Sequence, residues 1–276
     1  MRGSVPTPGP STQRYGGNTV CVEVRLLDGT LIVLDAGTGM RELGKKLMAE
    51  QFDREIHLFI THRHWDHVLG MPFFAPLYKK ETHLLIHPYT ISGYEAGTHP
   101  ILFDGVHFPV RFEDIPANME TLPVQTGELR VGSARLNSIA LNHPGGACGF
   151  RIDDDDGSSL CYLTDNELNP PYPHITPPKA LAKFAENTGL MIHDAQYLPS
   201  DLPAKKGWGH SLVSECLDLA KMASARTVAL HHHEPERDDA ALDKIGHEAT
   251  QWADANAKGL EVVVASETLT VDVKGR

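Results

Sequence analysis

THRHWDH, residues 61–67, sets three histidines and one aspartate in seven positions, directly after the apolar run IHLFI (56–60). The run reads as a short buried strand. In an extended segment, residues two apart point to the same side, so His62 and His64 face one point. Asp66 and His67 are adjacent, and once the chain turns they can face a second point nearby. One tetrahedral ion cannot easily take four ligands from seven residues, whereas two ions a few ångströms apart can share them.

Working outward, further donors stand where other buried strands stop. His143 follows SIALN, Asp165 follows LCYLT, and His231, His232 and His233 follow TVAL, of which one would serve as a ligand. Asp165 is a carboxylate and can bridge two ions. Mixed nitrogen and oxygen donors, without thiolate and with room for water, make a hydrolytic two-metal site. A single structural zinc would favour a closed Cys/His set. Zinc is the default ion; manganese and iron suit the same donors.

The surroundings set limits. The chain has 276 residues, 41% of them hydrophobic, and no Gly/Ser or Pro linker divides it, so residues 1–276 are expected to form a single domain. The formal charge is −11, from 25 Lys+Arg against 36 Asp+Glu. Such a surface disfavours a long nucleic acid, whose binding rests on phosphate neutralisation, but not a small anion held by metal. Cys21, Cys148, Cys161 and Cys216 show no CxxC spacing. With no signal peptide and no membrane-length apolar run, a cytoplasmic protein with free thiols and no membrane partner is expected.

Strands and helices alternate along the chain. Residues 1–19 read as an irregular loop. VCVEVRLL (20–27) and TLIVLDAGTG (30–39) flank Asp28-Gly29 as a hairpin, and Met40, Leu43 and Leu47 carry helical spacing over 40–50. HLLIHPY (83–89) is strand-like, within a Phe-, Pro- and Gly-rich excursion over 68–120 that reads as substrate-side. RVGSARLNSIALNH (130–143), GFRIDDDDGSSLCYLTDN (149–166) and LMIHDAQY (190–197) read as strands, with Asp153–Asp156 a solvated hairpin tip. Ser211 opens a helix, its hydroxyl the N-cap. TVALHHH (227–233) is a strand, and a helix over about 238–257 leads to the last strand, LEVVVASE. The pattern suits a layered α/β fold.

Taken in order, GSVPTPG (3–9), YGGNT (15–19), LDAGTG (34–39), THRHWDH, NHPGG (142–146), LTDN (163–166), HDAQY (193–197), GWGHS (207–211) and LHHHEP (230–235) resemble the metallo-β-lactamase superfamily. The first histidine motif fits its HxHxDH signature, and the likeness covers nearly the whole chain. It is nearest to the phosphodiesterase branch, with ribonuclease Z and the cyclic-phosphate phosphodiesterases. The resemblance implies an αββα sandwich, two mixed sheets flanked by helices, with a dimetal site at one edge. It implies that His62, His64 and His143 hold one metal, that Asp66, His67 and a final histidine, favoured as His232, hold the other, and that Asp165 bridges. Asp35 would support the histidine loop. Asp194 and His210 would form the pair that separates this branch from the β-lactamases, with His210 assisting at phosphoryl or leaving oxygen and Asp66 placed beside the reacting centre. The helix entry after His210 would add anion-favouring backbone N–H groups; helix-entry packing is the plainer role for His210.

The likeness also has departures. HEAT (247–250) resembles a ribonuclease Z motif but falls inside the last amphipathic helix, so HDAQY is its counterpart and His247 and Glu248 are surface residues. No Gly-rich basic arm of the kind that grips tRNA is visible. The family usually has an apolar strand before the RGS-x-P loop; here Met1 directly precedes Arg2-Gly3-Ser4. The expectation is a binuclear hydrolase that cleaves a small phosphodiester such as a cyclic nucleotide, by attack of metal-activated water. Phe73, Phe74, Tyr78, Phe103 and Phe108 would wall its pocket, or belong to the core. Another hydrolase on this scaffold (lactonase, thioesterase or β-lactamase) and a non-catalytic metal-binding module are the alternatives. A homodimer is expected on resemblance alone.

Overall fold

A computed structural model of the chain describes residues 1–87, 102–122 and 127–275. β1 (Val22–Arg25) and β2 (Leu31–Leu34) form the antiparallel hairpin around Asp28-Gly29, with Gly29 at φ 84° and Asp28 Oδ1 accepting from Thr30 N at 2.9 Å. All of β2 is buried because its two faces meet different layers: Leu31 and Val33 point one way, Ile32 and Leu34 the other. α1 (Met40–Ala49) buries Met40, Leu43, Gly44 and Leu47. β3 (Ile56–Phe59) returns parallel to β2. The short helix α2 (Trp65–Val68) lies inside the histidine motif. β4 (His83–His87) and β5 (Asn118–Thr121) extend the sheet in parallel, giving the order β1-β2-β3-β4-β5. The end of the 68–120 excursion is therefore sheet; residues 88–101 of it, including the last two of HLLIHPY, lie outside the described residues.

The second sheet has, among the described residues, the order β12 (Glu261–Val264), β11 (Thr227–His231), β10 (Leu190–Asp194), β9 (Ser159–Leu163), β8 (Ala147–Asp154), β7 (Ala134–Leu141), β6 (Leu129–Val131). The stretch expected as one strand over 130–143 divides at Gly132 (φ 52°) into β6 (Leu129–Val131) and β7 (Ala134–Leu141). β8 (Ala147–Asp154) and β9 (Ser159–Leu163) form the next hairpin. Its tip is only partly solvated, since Asp154 is buried and accepts from Leu27 N across the two sheets. α3 (Pro178–Phe184), which sequence periodicity did not show, precedes β10 (Leu190–Asp194). α4 (Val213–Met222) follows, and Ser211 is not its cap. Its Oγ donates to Asn166 O and accepts from Leu168 N, while Glu215 accepts from Leu212 N at the true helix entry. β11 (Thr227–His231), α5 (Asp239–Asn256) and β12 (Glu261–Val264) complete the sheet, and Asp238 caps α5 by accepting from Ala241 N.

The apolar residues sort into three cores between four layers. Val33, Leu58 and Ile86 pack outward against α1 and the turns carrying Phe74 and Leu77. Ile32, Leu34 and Phe59 face Phe150, Ile152, Tyr162 and Ile192 between the sheets. Cys161, Met191, Val228 and Leu230 pack against Leu181, Leu217 and Ile245 of α3, α4 and α5. This is the αββα order. A cavity of about 830 Å³ opens between β1 and residues 265–273, against Ile152, Leu160 and Ile192. Among the described residues no helix is long and apolar enough to cross a membrane. Phe150 is 1% exposed and edge-on to Phe59 across the sheets, so Phe150→Ala should destabilise the protein by about 3–5 kcal/mol in equilibrium denaturation.

Candidate metal centre

Strand direction gathers the site. β7 and β9 are both antiparallel to β8, so they run the same way, and β10 and β11 are parallel to β9. The carboxyl ends of β7, β9, β10 and β11 therefore share one edge and deliver His143, Asp165, Asp194 and His232. The ends of β2 and β3 deliver Asp35 and the histidine motif from the facing sheet.

Two groups of donors meet at Asp165 there, each with its ligand atoms within 4.8 Å of one another: His62, His64, His143 and Asp165; and Asp66, His67, Asp165 and His232; a third, overlapping set of the same reach joins Asp194 and His210 to Asp165 and His232. In the first, His64 Nδ1 is 2.9 Å from His62 Nε2 and 3.0 Å from His143 Nε2. Asp165 Oδ2 lies 3.5 Å from His62 Nε2 and 3.7 Å from His143 Nε2. Its other oxygen, Oδ1, lies 3.1 Å from both His67 Nε2 and His232 Nε2. Asp66 Oδ2 stands 3.4 Å from His67 and 3.2 Å from His232. Asp165 thus turns one oxygen to each group.

The outer nitrogens are held so that the inner ones face the centre. His67 Nδ1 donates to Asp35 Oδ2 at 2.9 Å, His143 Nδ1 to Gly209 O at 3.0 Å and His232 Nδ1 to Gln196 Oε1 at 2.8 Å. Such bonds fix tautomer and ring plane. Asp35, Asp165 and His232 all sit at positive φ (62°, 52° and 60°), a conformation non-glycine residues rarely adopt and one that clusters at functional sites.

The electrostatics fit divalent cations. Burial, together with its histidine neighbours, drives the imidazolium of His62 well below its usual range, and burial pushes His143 down to about 4. Burial opposes ionisation of Asp66 and Asp165, yet the surrounding histidines hold both well below the usual carboxylate range. Neutral imidazole and ionised carboxylate are the forms that bind metal. Burial opposes a charge on His67 as well, but Asp165, Asp66 and Asp35 converge on it and raise it well above its usual value. The buried Nε2 of that ring makes no hydrogen bond. Two carboxylates, Asp165 and Asp66, against a buried, unbonded nitrogen call for positive charge at that point.

His210 borders the second group. Its Nδ1 donates to Asp194 Oδ2 at 2.6 Å, its ring stacks on His232 at 4.9 Å, and it is edge-on to His143 at 5.3 Å. Burial lowers its basicity, but the Asp194 charge and hydrogen bond outweigh that and raise it to about 9. The expected anion-binding helix entry is absent here, because Ser211 N, Leu212 N and Val213 N are taken by Asp194, Glu215 and Tyr197 O.

The structure thus brings all seven expected ligand candidates together, with Asp194 and His210 beside them. Of the three consecutive histidines only His232 enters. His233 Nε2 donates to Ala265 O, and His231 lines the cavity on the other side with neither ring nitrogen hydrogen-bonded. His247 and Glu248 are exposed on α5. Phe74 and Phe103 are core, while Phe73 and Tyr78 are exposed and Phe108 half-buried, so the expected aromatic wall divides. Sequence reasoning gave no role to Gln196, Tyr162 or Glu167. Gln196 was visible within HDAQY; Glu167, which accepts from Gly207 N and Gly209 N at 2.9 Å each, carries no spacing signal.

A family model described as the β-lactamase superfamily domain matches residues 30–233. A ribonuclease Z of Haloarcula marismortui is 26% identical over 305 aligned positions, covering 94% of this chain and 91% of that protein. Among solved structures, the metallo-β-lactamase fold protein YhfI of Bacillus subtilis superposes with a TM-score of 0.66 at 18% identity, covering 96% of this chain and 93% of its own. The short form of human tRNase Z superposes with a TM-score of 0.63 at 16% identity, covering 99% and 98%.

Protein loaded with zinc should carry about two ions per chain by elemental analysis, as a shared two-ion site requires. Asp165→Ala removes an oxygen from each group and should bring the count to about one or below; an unchanged count would show that Asp165 is not shared.

Proposed function

The chain belongs to the β-lactamase superfamily, and on that footing we propose that it is a binuclear metal-dependent phosphodiesterase acting on a small molecule such as a cyclic nucleotide. The observation that carries this reading is Asp165 turned to both donor groups with the His210–Asp194 pair beside them. In this reading His62, His64 and His143 would hold one ion, Asp66, His67 and His232 the other, with Asp165 shared and zinc the default. When bound, the ions supply Lewis acidity toward a phosphoryl oxygen and toward the attacking water. His210 supplies a proton donor. With Nδ1 committed to Asp194, its Nε2 is left for substrate, where it stabilises charge on a phosphoryl oxygen or protonates the leaving oxygen. Stacking on His232 holds the ring at the edge of the cluster. The formal charge of −11 supports a compact substrate over a long polyanion.

The likeness to a ribonuclease Z favours a second reading with the same bond chemistry, RNA cleavage. Both are tested on metal-loaded protein given bis(p-nitrophenyl) phosphate, cyclic nucleotides, an RNA oligonucleotide, a carboxyl ester and a β-lactam. Diesters and cyclic nucleotides should be preferred. His210→Ala should lower kcat on the diester by about 10²–10⁴-fold, the range for a positioned proton donor, with metal content retained. Preference for the carboxyl ester or β-lactam, or indifference to His210→Ala, overturns the reading; metal without turnover of any substrate supports a binding module.

The pH profile gives a further test. His210 is raised, so its proton is held below about 9 and lost above it, and activity should fall as pH rises through that value. Asp194→Asn removes the charge that raises it, so this limb should move to lower pH.

A further inference from the structure

Two of the three tryptophans, Trp65 and Trp208, stand largely in solvent, 58% and 60% exposed, and each is within two residues of the cluster. Trp65 lies between His64 and Asp66 and opens α2. The next three residues of that turn are buried, so the turn directs its ligands inward and its indole outward. His64 is exposed as well, which marks this side as the mouth of the centre. Trp208 lies between two glycines whose N–H groups are both held by the buried carboxylate of Glu167. Gly209 then accepts from His143, and His210 follows. An indole 60% exposed is therefore carried on backbone clamped from both ends and tied to the cluster. A large apolar face kept in water on a fixed backbone is a preorganised contact surface.

We propose that Trp65 and Trp208 form the recognition surface for the nucleobase of a nucleoside phosphodiester whose phosphate enters the cluster. Indole faces stack on any base, so a base attached to the scissile phosphate would find aromatic surface next to the ligand-bearing turns. The acidic surface agrees, since selection here rests on stacking rather than on a cationic track. This extends the expected aromatic wall: Phe73 and Phe108 pair edge-on with each other at 5.4 Å, and the tryptophans stand nearer to the cluster in the chain. The proposal rests on the phosphodiesterase reading above.

The test compares thymidine 5′-(p-nitrophenyl phosphate) with methyl p-nitrophenyl phosphate, which share a leaving group and differ by the nucleoside. Wild type should prefer the nucleoside ester. W65A and W208A should each lower its kcat/KM by about tenfold, through KM, with the methyl ester changed less than about twofold and Phe substitutions restoring most of the loss. Quenching of tryptophan fluorescence by thymidine 5′-phosphate should be present in wild type and weakened in both variants, a readout independent of turnover. Equal losses on the two esters, or no preference for the nucleoside ester, overturn the assignment of the tryptophans. Cleavage of neither ester by wild type overturns the phosphodiesterase reading itself.

Discussion

One buried carboxylate ties the sheets to the histidine motif. Asp35 is 0% exposed and accepts from Thr61 N at 2.7 Å, from Thr61 Oγ1 and Tyr162 Oη at 3.0 and 2.9 Å, and from His67 Nδ1 at 2.9 Å. Its donors come from the end of β3, from β9 in the facing sheet and from α2. A carboxylate removed from water is strongly destabilising unless its lone pairs are satisfied, so these donors must arrive together. The consequence is geometric: the histidine turn is held against the ends of the second sheet, where Asp165 stands three residues beyond Tyr162.

From that tie the rest of the centre follows by direction. Strands running the same way put their carboxyl ends on one edge, and chemistry gathers where strands stop because backbone there is free to adopt the irregular angles that aim side chains. Asp165 and His232 show this directly, leaving the ladder into positive φ two residues after β9 and immediately after β11. The concentration of carboxylate around imidazole favours added positive charge. Burial opposes a charge on His67, yet Asp165, Asp66 and Asp35 raise it well above its usual value, while burial lowers the adjoining His62 well below its own.

Much of this was legible in the sequence because it depends on local periodicity and spacing. The buried strands, the Asp28-Gly29 hairpin, α1, α5 and the ligand candidates at strand ends all declare themselves within a dozen residues. What escaped depends on contacts made at long range. Ser211 has the right chemistry for a cap, but its hydroxyl is claimed by Asn166 and Leu168 from 43 to 45 residues away. Asp154 sits in an acidic run that reads as solvent-facing, yet the facing hairpin delivers Leu27 N to it. Glu167 organises the loop before His210 through two backbone N–H groups, a role that no composition or period encodes. The aromatic excursion misled for a related reason: Phe74 and Phe103 satisfy the core as readily as a pocket wall.

The choice among three consecutive histidines shows how the two kinds of information meet. Strand alternation would place His231 and His233 on one face and His232 on the other, but alternation alone does not say which face holds the metals. Positive φ at His232 turns its ring into the cluster, and the ring then needs space. That space is Gly3: a Cβ there would collide with the His232 imidazole and with the Gln196 side chain that orients it. The same relation holds on the other side, where a Cβ at Gly209, itself at φ 93°, would collide with His143. The glycines of GSVPTPG and GWGHS thus bind nothing themselves but leave room for the imidazoles of His232 and His143. This also makes the N-terminal loop part of the centre: Ser4, at φ 61° beside Gly3, donates its N–H to Asp66 Oδ2 and so holds a carboxylate of the second group from the far end of the chain.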